Sequence, residues 1–211
     1  MRKLRYLSLA GLLFFLSCKK NNPDTNGCIS LIAKHYLNGS DSLAAVNLLK
    51  QNGIPYSNLV YERVTLNDTI KNSAGYTVYQ HIFAVQYFNG LPLFFEQVVY
   101  HFRAGVFYLT DGPRYNSINL SKVPVLSLQT VRRLYLDESA KNGYAAGRFK
   151  DSCLSAAFGY YNLNAGTNNA TPNFAKAWMV TPKNSDFPKA LFLDGSGHTV
   201  FFDSGIETAE N

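Results

Sequence analysis

The residues best able to do chemistry in this chain are four scattered histidines, His35, His81, His101 and His198. A metal site needs about three donors converging in space. His81 and His101 flank an Asn89-Gly90 turn. Counting residues about that turn offsets them by roughly three residue pairs, too far for an easy pair of ligands. No metal and no other cofactor is expected. Gly195-Ser196-Gly197-His198 sets a hydroxyl close to an imidazole, but it lacks the strand-to-helix elbow that exposes a nucleophilic serine. Asp194-Gly195-Ser196-Gly197 lacks the alternating acidic ligands and closing glutamate of a calcium loop. A tight turn is the expected role. Glu96, Asp194 and Asp203 are the carboxylates nearest to apolar strands, and their spacing pairs no two of them for acid–base work. No Gly-rich phosphate loop occurs. The expectation is therefore a protein without catalytic residues.

Cysteine chemistry is more informative. Arg2, Lys3 and Arg5 form a basic start, Leu7 to Leu16 an apolar run, and Ser17 leads straight into Cys18. The run spans about 10 residues, half of what a membrane-crossing helix needs. This order is that of a secretory leader whose cleavage site abuts the residue to be acylated, and it resembles a bacterial lipobox. Residues 1–17 then read as signal peptide, with Cys18 as the lipid attachment site. Each buried methylene of a lipid chain contributes about 0.8 kcal/mol, and more than one chain holds a protein stably to a bilayer. The predicted location is the bacterial cell envelope, lipid-anchored, with the outer membrane favoured and its face left open.

Cys28 and Cys153 remain, an even pair in an exported protein. They read either as a disulfide or as two buried thiols packing as small apolar side chains.

The leader also removes a tempting inference from charge. Taking Arg2, Lys3 and Arg5 away from the formal net charge of +6 leaves +3, and Lys19 and Lys20 stand beside the lipid. The folded body is close to neutral, so the pI near 9.2 gives no argument for nucleic-acid binding.

Residues 18–27 read as a lipidated polar tether that reaches roughly 30 Å at about 3.3 Å per residue. The aromatic share of 14 %, with 15 Phe and 14 Tyr, favours strands, which suit aromatic side chains. Ser40 or Asp41 caps a helix through LAAVNLLKQNG, with Leu43, Val46 and Leu49 on one face. Strands follow over Asn58–Leu66, Tyr76–Phe88, Leu93–Phe102 and Val106–Thr110. Asn89-Gly90 is a hairpin signal, and Pro92 delays the return strand to Leu93. A second cycle opens with Ser127 capping LQTVRRLYLDESAK, whose Leu128, Val131, Leu134 and Tyr135 face the core. Its strands are Leu154–Leu163, Phe174–Thr181, Ala190–Asp194 and Thr199–Asp203. The pattern predicts a strand-rich α+β fold in two tandem helix-plus-antiparallel-sheet halves, residues 28–122 and 123–211.

Tyr87-Phe88-Asn89-Gly90-Leu91-Pro92-Leu93-Phe94, then EQVVYHF and a glycine turn, resembles the fungalysin/thermolysin propeptide motif. Ala177-Trp178-Met179-Val180 and Leu191-Phe192-Leu193-Asp194-Gly195-Ser196-Gly197-His198 resemble the PepSY domain that follows it. These pieces recur in family order over roughly residues 40 to 206, where each helix-plus-strand unit is one module. The resemblance implies curved sheets each packed on a helix. It also implies a non-catalytic module that assists folding of a protease and holds it inactive. No HExxH occurs, so the chain is not expected to be such a protease itself.

The expected function is binding of a polypeptide partner, a protease among the candidates, with attachment to a bilayer through Cys18 and no nucleic acid. Phe94, Phe95, Tyr100, Phe102, Phe107 and Tyr108 are expected to divide between core and surface. An exposed edge near Tyr108 or Phe201 would accept a peptide by strand addition. The alternative is an aromatic-lined carrier of a lipid or glycan, which requires a concave apolar cleft.

Overall fold

The computed structural model describes residues 27–32, 39–72, 75–145, 147–167 and 170–206, with the side chains of 66–68 and 72 excepted. Cys18, the leader, Lys19, Lys20 and His35 lie outside the described residues. The fold is strand-rich α+β. Its elements in chain order are β1 (Ile29–Leu31), α1 (Ser40–Gln51), β2 (Leu59–Asn72), β3 (Gly75–Phe88), β4 (Leu91–Arg103) and β5 (Val106–Asp111). They continue as α2 (Leu128–Lys141), β6 (Leu154–Asn162), β7 (Phe174–Pro182), β8 (Lys189–Leu193) and β9 (Thr199–Asp203).

The strands form one open sheet in the order β2-β3-β4-β6-β7-β8-β9, with β5 added on β4 and β1 on β6. The join is a parallel contact between Leu93 of β4 and Tyr160 of β6. β1 also runs parallel to β6, Ile29 facing Leu154, so a strand from the expected first unit pairs inside the expected second one. Cys28 is bonded to Cys153 at the foot of this pairing, with Cα atoms 4.3 Å apart.

Helix α1 turns Leu49 to the core with Val46 packed beside it, as the spacing predicts, but not Leu43. Ala45, Leu48 and Leu49 are buried, whereas Leu43 is 62 % exposed. The stripe is set by Asn52, one step further along the same face. Its Nδ2 donates to the Gly105 carbonyl and its Oδ1 accepts from the Phe107 N–H, both at 2.9 Å. The helix starts at Gly39 with no side-chain cap, rather than at Ser40 or Asp41. Against it pack Tyr61 of β2, Ile82 and Ala84 of β3, and Val98, Tyr100 and Phe102 of β4. Each large apolar side chain fully buried there contributes roughly 1.5–3 kcal/mol.

Helix α2 begins as expected, Ser127 Oγ accepting from the Thr130 N–H at 3.1 Å. Val131 and Tyr135 face Leu154, Ala156, Trp178, Val180 and Phe192 across the second core. Arg132 is buried and donates to the Lys150 carbonyl.

Two strand boundaries differ from expectation. β2 continues to Asn72 because Thr69 and Ile70 keep pairing with Val78 and Thr77, and Asn72 with Gly75. β4 begins at Leu91, with Pro92 opposite Tyr87. The pair next to a two-residue turn exchanges hydrogen bonds and the following pair does not, so the missing Pro92 N–H costs the ladder nothing.

Further along, Val85 pairs with Gln97, so Gln86 alone stands opposite the four residues Leu93–Glu96. Phe95 absorbs this bulge with φ 62°. The bulge frees Leu93 to meet β6 and restores register beyond it.

Candidate functional site

β5 follows an Ala104-Gly105 turn whose two residues have φ 49° and 79°, the conformation a two-residue hairpin demands. Among the described residues it pairs with β4 alone. Val106 is 65 % exposed, Phe107 36 %, Tyr108 50 % and Leu109 45 %. Asn52 ties down the Phe107 N–H, and the stretch from Tyr108 onward lies open. Natural edge strands are protected by lysine, proline, inward charge or a covering element. Val106–Thr110 carries no charge and no proline. The β2 and β9 edges are defended, and β1 is an edge of three residues only. β2 carries Glu62, Arg63 and Lys71. In β9, Phe201 packs edge-on against Phe95 at 4.8 Å and Thr199 bonds to Glu138 at 2.9 Å. Of the two edges the sequence could not separate, β5 is the open one.

The face beside this edge, opposite α1, is aromatic and polar. Tyr79, His81 and Phe83 alternate along β3, and His101 stands directly across from His81 on β4. Their Nδ1 atoms are 2.7 Å apart and their rings 4.8 Å apart. His101 Nε2 lies 2.9 Å from the Asp111 carboxylate at the end of β5. The Tyr108 ring stands 6.1 Å from His101 and 6.4 Å from Tyr79. Arg63 lies flat over Phe83 at 3.9 Å. The expectation that His81 and His101 are offset is thus corrected: the β4 bulge adds back the residues that the simple count left over.

The remaining candidates occupy other places. Ser196 Oγ accepts from the His198 N–H at 3.2 Å, closing a turn. Asp194 is fully buried. It accepts from the N–H groups of Val125 and Leu126, from Trp178 Nε1, and from Lys176 Nζ at 3.1 Å. Burial opposes its ionisation, but these donors together hold the carboxyl below the ordinary aspartate range. Asp203 accepts the Gly205 N–H at 2.8 Å. Glu96 is buried, its Oε1 accepting from Asn162 at 2.9 Å and from Tyr115 at 3.1 Å. Burial and the nearby Glu96 carboxylate push the Tyr115 hydroxyl up to about 12. These three carboxylates sit in separate networks. The Glu96 cluster was not foreseen, since Tyr115 and Asn162 lie 19 and 66 residues away with no motif linking them.

Of the six aromatic residues, Phe94, Tyr100 and Phe102 are buried, and Phe95, Phe107 and Tyr108 are exposed. An apolar cleft of about 260 Å³ opens between β1 and the start of β4, walled by Leu31, Ile32, Leu91, Pro92, Phe158 and Trp178. Among the described residues no helix is long and apolar enough to cross a membrane. No group of three or more His, Cys, Asp or Glu among them is placed to hold a metal ion.

Compared with protein-family models, with curated proteins and with solved structures, the chain matches none.

Proposed function

We propose that this is a non-catalytic, lipid-anchored protein of the bacterial envelope that binds an extended polypeptide by adding it as a strand to β5. The observation that carries this reading is an unguarded edge with four consecutive exposed apolar side chains, Val106 to Leu109. Main-chain hydrogen bonds along such an edge supply affinity, and alternate side chains supply selectivity. The Tyr79–Tyr108–His101 face supplies aromatic contacts on one side of an added strand. Cys18 supplies the membrane attachment.

The finer reading is a prodomain-like module of the fungalysin/thermolysin propeptide and PepSY type, with a secreted protease among its candidate partners. Its support is the recurrence of one helix followed by four strands, α1 with β2–β5 and α2 with β6–β9. Each helix covers its own core. The two halves are residues 28–122 and 123–211. A lipid or glycan carrier is the second reading, favoured by the cleft beside Trp178. Its volume of about 260 Å³ falls just under the roughly 300–1,000 Å³ of typical small-molecule sites, so the edge is the better site.

A photo-crosslinking amino acid at Tyr108 in living cells tests the proposal. The expected result is a discrete crosslinked polypeptide, lost in a Leu109→Lys background and absent when the crosslinker replaces Lys141 on α2. Equal yields at both positions would contradict it.

A further inference from the structure

We propose that His81 and His101 form a two-imidazole site for a divalent transition-metal cation, Zn²⁺ or Cu²⁺, on the outer face of the sheet. Asp111 is the positioning residue behind His101. This inference stands apart from the β5 edge reading and needs no polypeptide partner.

The argument begins with register. Residues directly opposite on neighbouring antiparallel strands bring their Cβ atoms within about 4.5–5.5 Å, close enough for two side chains to share one ion. His81 and His101 occupy such a pair, and the objection from sequence spacing disappears with the bulge. The rings are also turned correctly. The two Nδ1 atoms face each other across 2.7 Å. Two tetrahedral Zn–N bonds of about 2.05 Å hold their nitrogens roughly 3.3 Å apart. The rings must therefore part by about 0.6 Å, a small rotation for side chains that face away from the packed core.

The shell behind the pair is that of a metal-binding imidazole. A ligating histidine commonly donates its second ring N–H to a carboxylate, which fixes the tautomer and raises the basicity of the ligating nitrogen. His101 Nε2 stands 2.9 Å from Asp111 Oδ2, and a carboxylate only accepts. The proton of a neutral His101 is therefore on Nε2, and the Nδ1 lone pair is directed at His81. A contact of 2.7 Å between two ring nitrogens requires a proton on one of them, and a cation would take that proton's place with His81 in its Nε2–H tautomer. Imidazole suits both Zn²⁺ and Cu²⁺. The His101 side chain is 17 % exposed, so solvent can complete the coordination.

The test is a titration of the full chain, free of any affinity tag, with Zn²⁺ alone and with Cu²⁺ alone. The expected result is saturable one-to-one binding. Affinity should fall at least tenfold in His81→Gln and in His101→Gln. Asp111→Asn should weaken binding by about 10–100-fold while leaving the stoichiometry unchanged. In the unmodified protein, Zn²⁺ should shift the ring resonances of His81 and His101 and leave His198 in place. The Cu²⁺ form should show hyperfine coupling to two imidazole nitrogens. These two spectra keep the proposal falsifiable if a variant fails to fold. No saturation, an affinity unchanged by either histidine substitution, or coupling to fewer than two nitrogens would overturn it.

Discussion

Asp194 shows how a residue in a turn motif acts as a lock. Its carboxylate gathers donors from the segment before α2 at Val125 and Leu126, from β7 at Trp178, and the ammonium of Lys176. Removing one partner of a buried ion pair costs roughly 3–5 kcal/mol, since the other charge is left uncompensated. Asp194→Asn should lose stability on that scale, measured by urea unfolding at neutral pH. The pH dependence follows from the lowered folded-state value. An aspartate whose folded pKa is depressed contributes stability above its unfolded value, and this is lost as pH falls through the folded value. The wild type should therefore lose stability through and below the ordinary carboxylate range, and the Asp194→Asn variant should lose less there. Only the turn was legible from the sequence at this position. The partners lie 69, 68 and 16 residues away, and nothing local announces them.

At the scale of elements, caps and alternation translate directly into structure, and counts across turns do not. Ser127 caps α2 where its side chain predicts, and Ser127→Ala should cost about 1 kcal/mol in thermal unfolding while leaving β5 unaffected. The strands of β6–β9 fall within two residues of their alternation patterns. On α1 only Leu43 departs from the expected face, because it matches helical spacing as well as Val46 and Leu49 do. The choice is made by Asn52 reaching the β4–β5 turn, a tertiary contact. The histidine offset failed for a related reason. Counting outward from Asn89-Gly90 assumes an unbroken ladder, and Phe95 in the left-handed region breaks it. A non-glycine residue at positive φ gives no sequence signal. The candidate site was legible as a pair of possible edges near Tyr108 and Phe201, but which edge is open depends on what covers Phe201, namely Phe95 from that same bulge.

For the molecule as a whole, the bulge in β4 joins what the sequence presents as two units into one sheet, and β1 adds a second tie. Cys28 and Cys153 are 125 residues apart, and closing a loop of that length is worth about 5 kcal/mol in the chain-entropy model. The Cys28→Ser/Cys153→Ser variant, or the reduced wild type, should unfold at a markedly lower urea concentration, with a slope that rises as the unfolded chain is freed to expand. An unchanged midpoint would mean that β1 is held by its pairing with β6 alone. Neither change should alter the open edge, because β5 rests on β4 and Asn52, remote in sequence from both cysteines.

The most direct test of strand addition at β5 is amide hydrogen exchange on the full chain, with and without the polypeptide captured from position 108. New main-chain hydrogen bonds should slow exchange in the Tyr108–Asp111 stretch above all others, with β9 unchanged. Protection that falls instead on the cleft beside Trp178, or on no strand edge, would contradict the account.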